Sequence, residues 1–373
     1  MLAPEINFDG LLLRPWRAAD ADAVLRACQD PVLHRWAPEL PWPYRRQDAE
    51  HYVRVLAPAE LAAGRVLGLA VTDGPTGAVL GSIALHHPAE IPELGYWVAP
   101  WARGHRVAER AGRGLLSWAF TELKAPRVDW KASVGNHVSR LTALRLGFRM
   151  IGERPATAGT PAKWLASLTP GNLTAAGTDV PDPVRRQAHT FAAAHPTLNA
   201  GTLTLRPPAE RDVPAIVECR SDPEVARWFG VPQPYTEADA RRHVRENVPG
   251  RWARGSEAVF AVADRADAYQ GSVDLRILPG ETAVGEVGFL ISPRARGRGH
   301  ATAALREICR WGFAALGLAR IQWRAEVGNE ASRRVALKTG FTMEGTLRQA
   351  LQINGVRRDC WVGSLVTSAE VVP

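Results

Sequence analysis

The stretch PRARGRGHATAAL, Pro293 to Leu305, places three arginines and two glycines in a turn-like segment that runs directly into a helical pattern. A near copy, PWARGHRVAERAG, spans Pro100 to Gly112, with Arg106 where the other copy has its second glycine, Gly299. A strand followed by a glycine turn and a helix N-terminus is a recipe for holding an anion, because unpaired backbone N–H groups converge there and the helix dipole adds positive potential. Glycine serves such a turn because a Cβ would hold the backbone away from the anion or forbid the conformation. The sequence contains neither a Walker-type GKS or GKT nor a G-x-G-x-x-G that opens a parallel βαβ unit, so those phosphate loops are excluded.

The copy of the turn belongs to a longer repeat. LLLRPWRAADADAVLRACQDPVLHRW (11–36) aligns with LTLRPPAERDVPAIVECRSDPEVARW (203–228), and ELGYWVAPWARGHRVAERAGRGLLSWAF (93–120) aligns with EVGFLISPRARGRGHATAALREICRWGF (286–313). NHVSRLTALRLGF (136–148) matches NEASRRVALKTGF (329–341). Whole domains are therefore duplicated. The expected organisation is a first domain over 1–168, a Pro-, Gly-, Thr- and Ala-rich linker over 169–200 with one short helix near 184–194, and a second domain over 201–373.

Each copy reads alike. A short strand (LLLRP; LTLRP) precedes an Ala- and Asp-rich helix and a second helix near 45–63 or 236–253. Three strands follow, then the Arg/Gly turn, a long helix, a strand, a helix ending at glycine, and a final hairpin. Leu305, Ile308, Cys309, Phe313 and Leu316 fall at helical spacing and predict the buried face of the long helix. Trp36/Trp228, Trp118/Trp311 and Trp130/Trp323 recur at the repeat spacing and read as core. The fold class is α+β around a mostly antiparallel sheet.

The bulk composition agrees with folded domains: 373 residues, 46% hydrophobic and 23% charged. No run of 18 apolar residues and no signal-peptide pattern at the N-terminus leave the cytoplasm as the expected location and argue against a membrane partner. The net charge of +8 is spread along the chain as arginine, with lysine only at 124, 131, 163 and 338, which argues against a nucleic-acid partner. Cys28, Cys219, Cys309 and Cys360 show no paired spacing, so neither a metal site nor a disulfide framework is expected.

The order of elements, with R294-A-R-G-R-G299, resembles the GNAT superfamily of acyl-CoA N-acyltransferases. N329-E-A-S332-R-R-V-A-L-K-T-G-F341 and the GFxxEGxLR pattern at 340–348 are similar to its Rim-type branch, which acetylates protein N-termini and related amines. The resemblance covers 201–368 and, through the repeat, 9–168. It implies two tandem domains, each a twisted, mostly antiparallel sheet splayed between its fourth and fifth strands and flanked by helices. It implies acetyl-CoA as cosubstrate and no metal, with backbone groups of Phe289, Leu290 and Ile291 along the pantetheine arm. Arg296, Gly297, Arg298, Gly299, His300 and Ala301 would cradle the pyrophosphate, and Asn329 would hydrogen-bond the pantetheine.

Acetyl transfer to an amine needs a base for the ammonium and a donor for the departing thiolate. The tyrosine that many relatives carry on the last helix is replaced by Ala336, and by Ala143 in the first copy. Ser332 matches the serine that Rim-type enzymes place near the sulfur. Where that branch takes a base carboxylate from the strand after the GF helix, this chain has Leu351. Glu286, on one strand face with 288 and 290 and equally placed for a strand-end salt bridge, and Asp359, on the final strand, are the candidate bases, and a water chain is a third route.

The first domain keeps Glu93, Asn136 and Ser139 but has Trp101, Arg106 and Ala162 at motif positions, so weak or absent CoA binding is expected there. The leading reading is an N-acetyltransferase working by direct attack in a ternary complex, mainly in the second domain. Its acceptor is a primary amine, on a protein N-terminus or on a small molecule such as an aminoglycoside or polyamine. A CoA-binding sensor or scaffold without turnover is the competing class. The chain reads as a monomer or a dimer.

Overall fold

The structure is a computed structural model that describes residues 3–230 and 233–367. The chain divides into two compact units, Met1–Val180 and Pro181–Pro373. The segment expected to link the domains is shared between them. Thr174 donates from its backbone to the Leu146 carbonyl in the first unit. The helix Asp182–Ala192 docks on the second unit, where Gln187 donates to the Thr282 carbonyl at 2.6 Å and Thr190 to the Ala315 carbonyl at 2.9 Å.

Among the described residues each unit holds one eight-stranded sheet. The first comprises β1 (Ile6–Phe8), β2 (Leu11–Arg14), β3 (Val66–Asp73), β4 (Val79–His86), β5 (Glu93–Val98), β6 (Val128–Ser133), β7 (Arg149–Arg154) and β8 (Lys163–Leu168). The second comprises β9 (Leu198–Ala200), β10 (Leu203–Arg206), β11 (Glu257–Ala263), β12 (Tyr269–Leu278), β13 (Glu281–Ile291), β14 (Arg320–Glu326), β15 (Thr342–Ile353) and β16 (Val356–Val366). Strands run in chain order except that the last two exchange places, β6-β8-β7 and β14-β16-β15. The short strands β1 and β9 precede LLLRP and LTLRP and were not foreseen; each closes a hairpin on β2 or β10. The expected fourth and fifth strands are therefore β5 and β6 in one sheet, β13 and β14 in the other.

Those two strands form the one parallel neighbour pair in each sheet, and their ladder is brief. In the first sheet it joins Glu93 and Leu94 to Asp129 and Trp130; in the second it joins Val284–Val287 to Arg320–Trp323. Past Leu94 and past Val287 the strands part, which leaves one side of β13 without ladder partners from Gly288 to Ile291. Each unit is thus a mostly antiparallel sheet splayed at its only parallel junction, with helices on its faces.

The long helices Val107–Thr121 and His300–Leu316 lie on one face of their sheets. Leu305, Ile308, Cys309 and Leu316 are buried there as their spacing predicts, while Phe313 packs at the margin. Burying each such large aliphatic side chain contributes roughly 1.5–3 kcal/mol. Trp130, Trp311 and Trp323 are core residues. Trp36 and Trp228 are instead half-exposed, each under the guanidinium of the preceding arginine, at 4.7 and 4.5 Å. Both copies also anchor the strand exit with a buried bidentate ion pair, Arg14 to Asp20 and Arg206 to Asp212, at 2.7–2.9 Å.

Candidate active site

The Arg/Gly turn of the second domain leaves β13 through a short 3-10 turn, Pro293–Ala295, and enters the helix at His300. Gly297 and Gly299 both adopt positive φ, +76° and +79°, and a Cβ built on either would meet nothing within 4 Å. The cradle is therefore open. The first residue of this helix whose N–H finds a backbone acceptor is Ala303, bonded to the Gly299 carbonyl at 3.1 Å. Amides ahead of it are the orphan donors of a helix mouth. His300 adds an enclosed Nδ1 with no hydrogen-bond partner. Arg296 does not project freely, because its guanidinium bonds Asp222 at 2.6 Å and so ties the turn to the helix Pro223–Phe229. Arg298 is exposed, and Ala301 lies half-buried in the first helical turn. These features fit a diphosphate: open amides, two glycines in the left-handed region and one free guanidinium.

In the first domain the same backbone path is filled. Arg106 takes the left-handed conformation, φ 52° and ψ 28°, at the place of Gly299. Arg106 was expected to weaken or abolish CoA binding at this turn. The turn keeps its shape, and the guanidinium swings onto Asp179 at 2.5 Å and toward Glu109 at 3.6 Å. Glu109 stands in the first turn of the helix, 3% exposed, bonded to Arg113 at 2.7 Å. Its counterpart in the second domain is Thr302. Asp179 also accepts from Arg145 at 2.7 Å, and the guanidiniums of Arg145 and Arg106 hold its carboxyl down at about 2. Two carboxylates of the chain itself thus sit where the second domain leaves its helix mouth free.

The strand beside each turn differs in the same sense. Phe289 and Leu290 in the second domain correspond to Tyr96 and Trp97 in the first. Tyr96 donates across to the helix His137–Leu146, with its hydroxyl 3.0 Å from the Ser139 carbonyl and 2.9 Å from Ser139 Oγ. Trp97 stacks on Trp16 at 6.3 Å. In the second domain Ser332 Oγ accepts from the Trp323 indole N–H at 3.0 Å, which leaves its own proton available. Asn329 caps the helix Glu330–Thr339 by accepting from the Ser332 amide at 3.0 Å. Phe289, Leu290 and Ile291 pair with β12 on one edge only.

The two candidate carboxylates both have partners within the chain. Glu286, 6% exposed, accepts from Arg324 Nε at 2.6 Å and Gln322 Nε2 at 2.9 Å, with Arg276 at 3.2 Å. Both hydrogen bonds fall on Oε2, so Glu286 forms the salt bridge that its strand position also allowed, with Oε1 facing Arg276. Asp359 spends Oδ1 on the Gln349 amide at 2.8 Å within the terminal hairpin. Leu351 pairs with Arg358 in that hairpin.

Sequence reading passed over Asp274. Register sets it opposite Gly288, the first residue of β13 beyond the parallel ladder, and a Cβ on Gly288 would come within 2.8 Å of Asp274 Oδ1. Asp274 Oδ2 is enclosed and accepts no hydrogen bond; Arg276 Nε stands 3.4 Å away. Glu257 on β11 lies on the same face, bonded to Arg251 at 2.8 Å. Burial and the Asp274 charge push its carboxyl up to about 7. Burial likewise raises Asp274, against the pull of Arg276 and Arg251. The signal in the sequence was the alternation D-L-R in 274–276 against E-V-G in 286–288, which is readable only once the two strands are paired.

The model of the GNAT acetyltransferase domain matches the chain twice, over residues 10–149 and 202–342. The chain belongs to the GNAT acetyltransferase family. An uncharacterized N-acetyltransferase of Bacillus subtilis, YoaA, is 31% identical over 184 residues, which is 47% of this chain and 99% of that protein. The putative ribosomal N-acetyltransferase YdaF of the same organism is 28% identical over 169 residues, 44% of this chain and 90% of its own. A solved GNAT-family acetyltransferase from Bacillus anthracis is 24% identical, covers 46% of this chain and 98% of its own, and superposes with a TM-score of 0.41. This GNAT protein is a tandem acetyltransferase that moves acetyl from acetyl-CoA to an amine. Among its described residues no helix is long and apolar enough to cross a membrane, and no cluster of His, Cys, Asp and Glu could hold a metal ion.

Proposed function

We propose that the second domain alone binds acetyl-CoA and performs the transfer, and that the first is a partner that has lost the cosubstrate. The observation that carries this reading is the contrast between two superimposable turns. Gly297 and Gly299 leave the helix mouth at His300 open, whereas Arg106, Glu109 and Asp179 close the one at Val107 with the chain's own charges. A carboxylate in the first helical turn already offsets the dipole and would repel a diphosphate. Tyr96 and Trp97 support the same conclusion on the strand side.

In the second domain the amides of Gly297 through Ala301 and the Arg298 guanidinium would hold the pyrophosphate. The unladdered edge of Phe289, Leu290 and Ile291 would bind the pantetheine, with the Asn329 amide beside it. Bound there, acetyl-CoA supplies a thioester for direct attack by a primary amine in a ternary complex. Ser332 Oγ, oriented by Trp323, is the group that gives a proton to the departing sulfur. The acceptor class we favour is a protein N-terminus, the chemistry of the Rim-type branch. The name of the relative YdaF, a putative ribosomal N-acetyltransferase, supports it.

The test is thiol release from acetyl-CoA with a panel of peptides bearing free N-terminal alanine or serine, a polyamine and an aminoglycoside. Acceptor-dependent release with the peptides is expected. Release with the small amines alone would overturn the acceptor class, and binding of acetyl-CoA without release to any amine would overturn the enzyme reading in favour of a sensor or scaffold.

A further inference from the structure

The two domains differ at a second place, on the sheet face opposite the long helix. There the second domain carries a charged cluster in which Glu257, Asp274 and Arg276 lie on neighbouring strands β11 and β12, with Arg220 and Arg251 reaching in from the helices Val213–Arg220 and Val248–Arg254. The aligned positions of the first domain are Val66, Ala84 and His86, and Cys28 replaces Arg220. That region of the first domain is an apolar cluster of Trp16, Cys28, Tyr44 and Ala70, with Tyr52 and Trp97 against it. Glu286 keeps a counterpart on this face, Glu93, which pairs with His86 and bonds Lys131 at 2.8 Å, whereas Glu257 and Asp274 have none: their places hold Val66 and Ala84.

Within the cluster, two of the three carboxylates are hydrogen-bonded to side chains. Glu257 is held by Arg251, while Glu286 takes Arg324, Gln322 and Arg276. Asp274 is left over. Its side chain is 21% exposed, its Oδ2 makes no hydrogen bond, and among the described residues its one ion-pair partner is Arg276 Nε at 3.4 Å. Its position is set by three facts of register. It pairs with Gly288, the ladder to β14 ends one residue earlier at Val287, and Gly288 has no side chain to cover it. A carboxylate therefore looks across a bare glycine at the vertex where the sheet opens. In the first domain the corresponding pair is Ala84 with Gly95.

We infer that Asp274 is the base that receives the proton of the acceptor's ammonium. The inference rests on the reading that the second domain performs transfer, and it names the residue that acts on the amine. The ammonium gives one proton to the Asp274 carboxylate, and the freed nitrogen forms the C–N bond to the acetyl carbon as the C–S bond breaks. The sulfur leaves as thiolate and takes a proton from Ser332 Oγ, which regains one from the nitrogen; Asp274 returns its own proton to water. A half-buried carboxylate with an unused lone pair has the chemistry for this step, and a raised proton affinity brings it toward the ammonium it must deprotonate. The charged groups that face it from every packed element are Arg276, Glu286, Glu257, Arg251 and Arg220.

The experiment compares wild type, Asp274→Asn and Asp274→Glu as full-length chains on the best amine of the panel. Asp274→Asn is expected to lower kcat/KM for the amine by about 10²–10⁴-fold, the usual worth of a positioned base, with acetyl-CoA affinity by calorimetry unchanged. It should also lose the rise of kcat/KM with pH that the carboxyl contributes. Asp274→Glu keeps that rise at a reduced rate and serves as the readout if Asp274→Asn fails to fold. A wild-type rate and pH profile in Asp274→Asn would overturn this inference and leave the function standing. Acetyl-CoA binding with no amine turned over by the wild type would overturn both.

Discussion

Replacing Gly299 with arginine would copy the first domain's turn into the second. The backbone at 299 has φ +79° and ψ 2°, close to the φ 52° and ψ 28° that Arg106 already adopts, and the new Cβ would meet nothing within 4 Å. The protein should therefore fold, at the roughly 1–2 kcal/mol that a non-glycine residue costs in the left-handed region. Arg106 has Asp179 and Glu109 to offset that cost, whereas the residue aligned with Glu109 is Thr302. A loss of about 1 kcal/mol corresponds to a fall in Tm of roughly 2–4 °C for a domain of this size.

The effect on acetyl-CoA should be larger. A Cβ and a side chain at the helix mouth cover amides that would donate to the pyrophosphate, and each charge-assisted hydrogen bond lost costs about 1.5–3 kcal/mol. The added guanidinium returns only about 0.2–1 kcal/mol as an exposed charge near a phosphate. The steric term wins, and the net loss of about 0.5–2.8 kcal/mol for each amide covered weakens binding by roughly two- to a hundredfold. Calorimetry of acetyl-CoA into wild type, Gly299→Ala and Gly299→Arg measures this directly, with graded weakening expected. Equal or tighter binding by Gly299→Arg would show that the diphosphate does not rest on these amides.

Two further perturbations probe the scaffold. Asp20→Ala strands the buried Arg14 and should cost about 3–5 kcal/mol in urea denaturation, Asp212→Ala should cost less because Arg206 keeps Asp267 at 2.5 Å, and loss of an exposed partner such as Asp22 should cost a negligible amount. For Glu257, folding raises the carboxyl from 4.5 to about 7, so its contribution to stability is full below about 4.5 and is lost as pH rises through about 7. Glu257→Gln should therefore flatten the decline in stability across that window, and a decline left intact would assign it to another group.

The fold was legible because duplication repeats the signal: the apolar positions of Ile308 and Cys309 recur as Leu115 and Leu116 in the first copy, and tandem GNAT sheets are what the structure contains. The short strands β1 and β9 escaped notice because three residues give no periodicity. The glycine turn was readable from its residues alone, since positive φ is a local property. Arg106 was readable only in part: its Cβ was visible as an obstacle, but Asp179 lies 73 positions away and its ion pair appears only in three dimensions. For Glu286 the sequence left a base and a salt bridge both open, because its partners Arg324 and Gln322 arrive from β14. Asp274 became visible only when register set it against Gly288.

The most direct measurement of the whole account is the stoichiometry of acetyl-CoA binding to the intact chain by calorimetry. One molecule per chain is predicted, and Gly299→Arg should remove or weaken that one site. Two molecules bound would contradict the closed first domain, and none would contradict the open turn of the second.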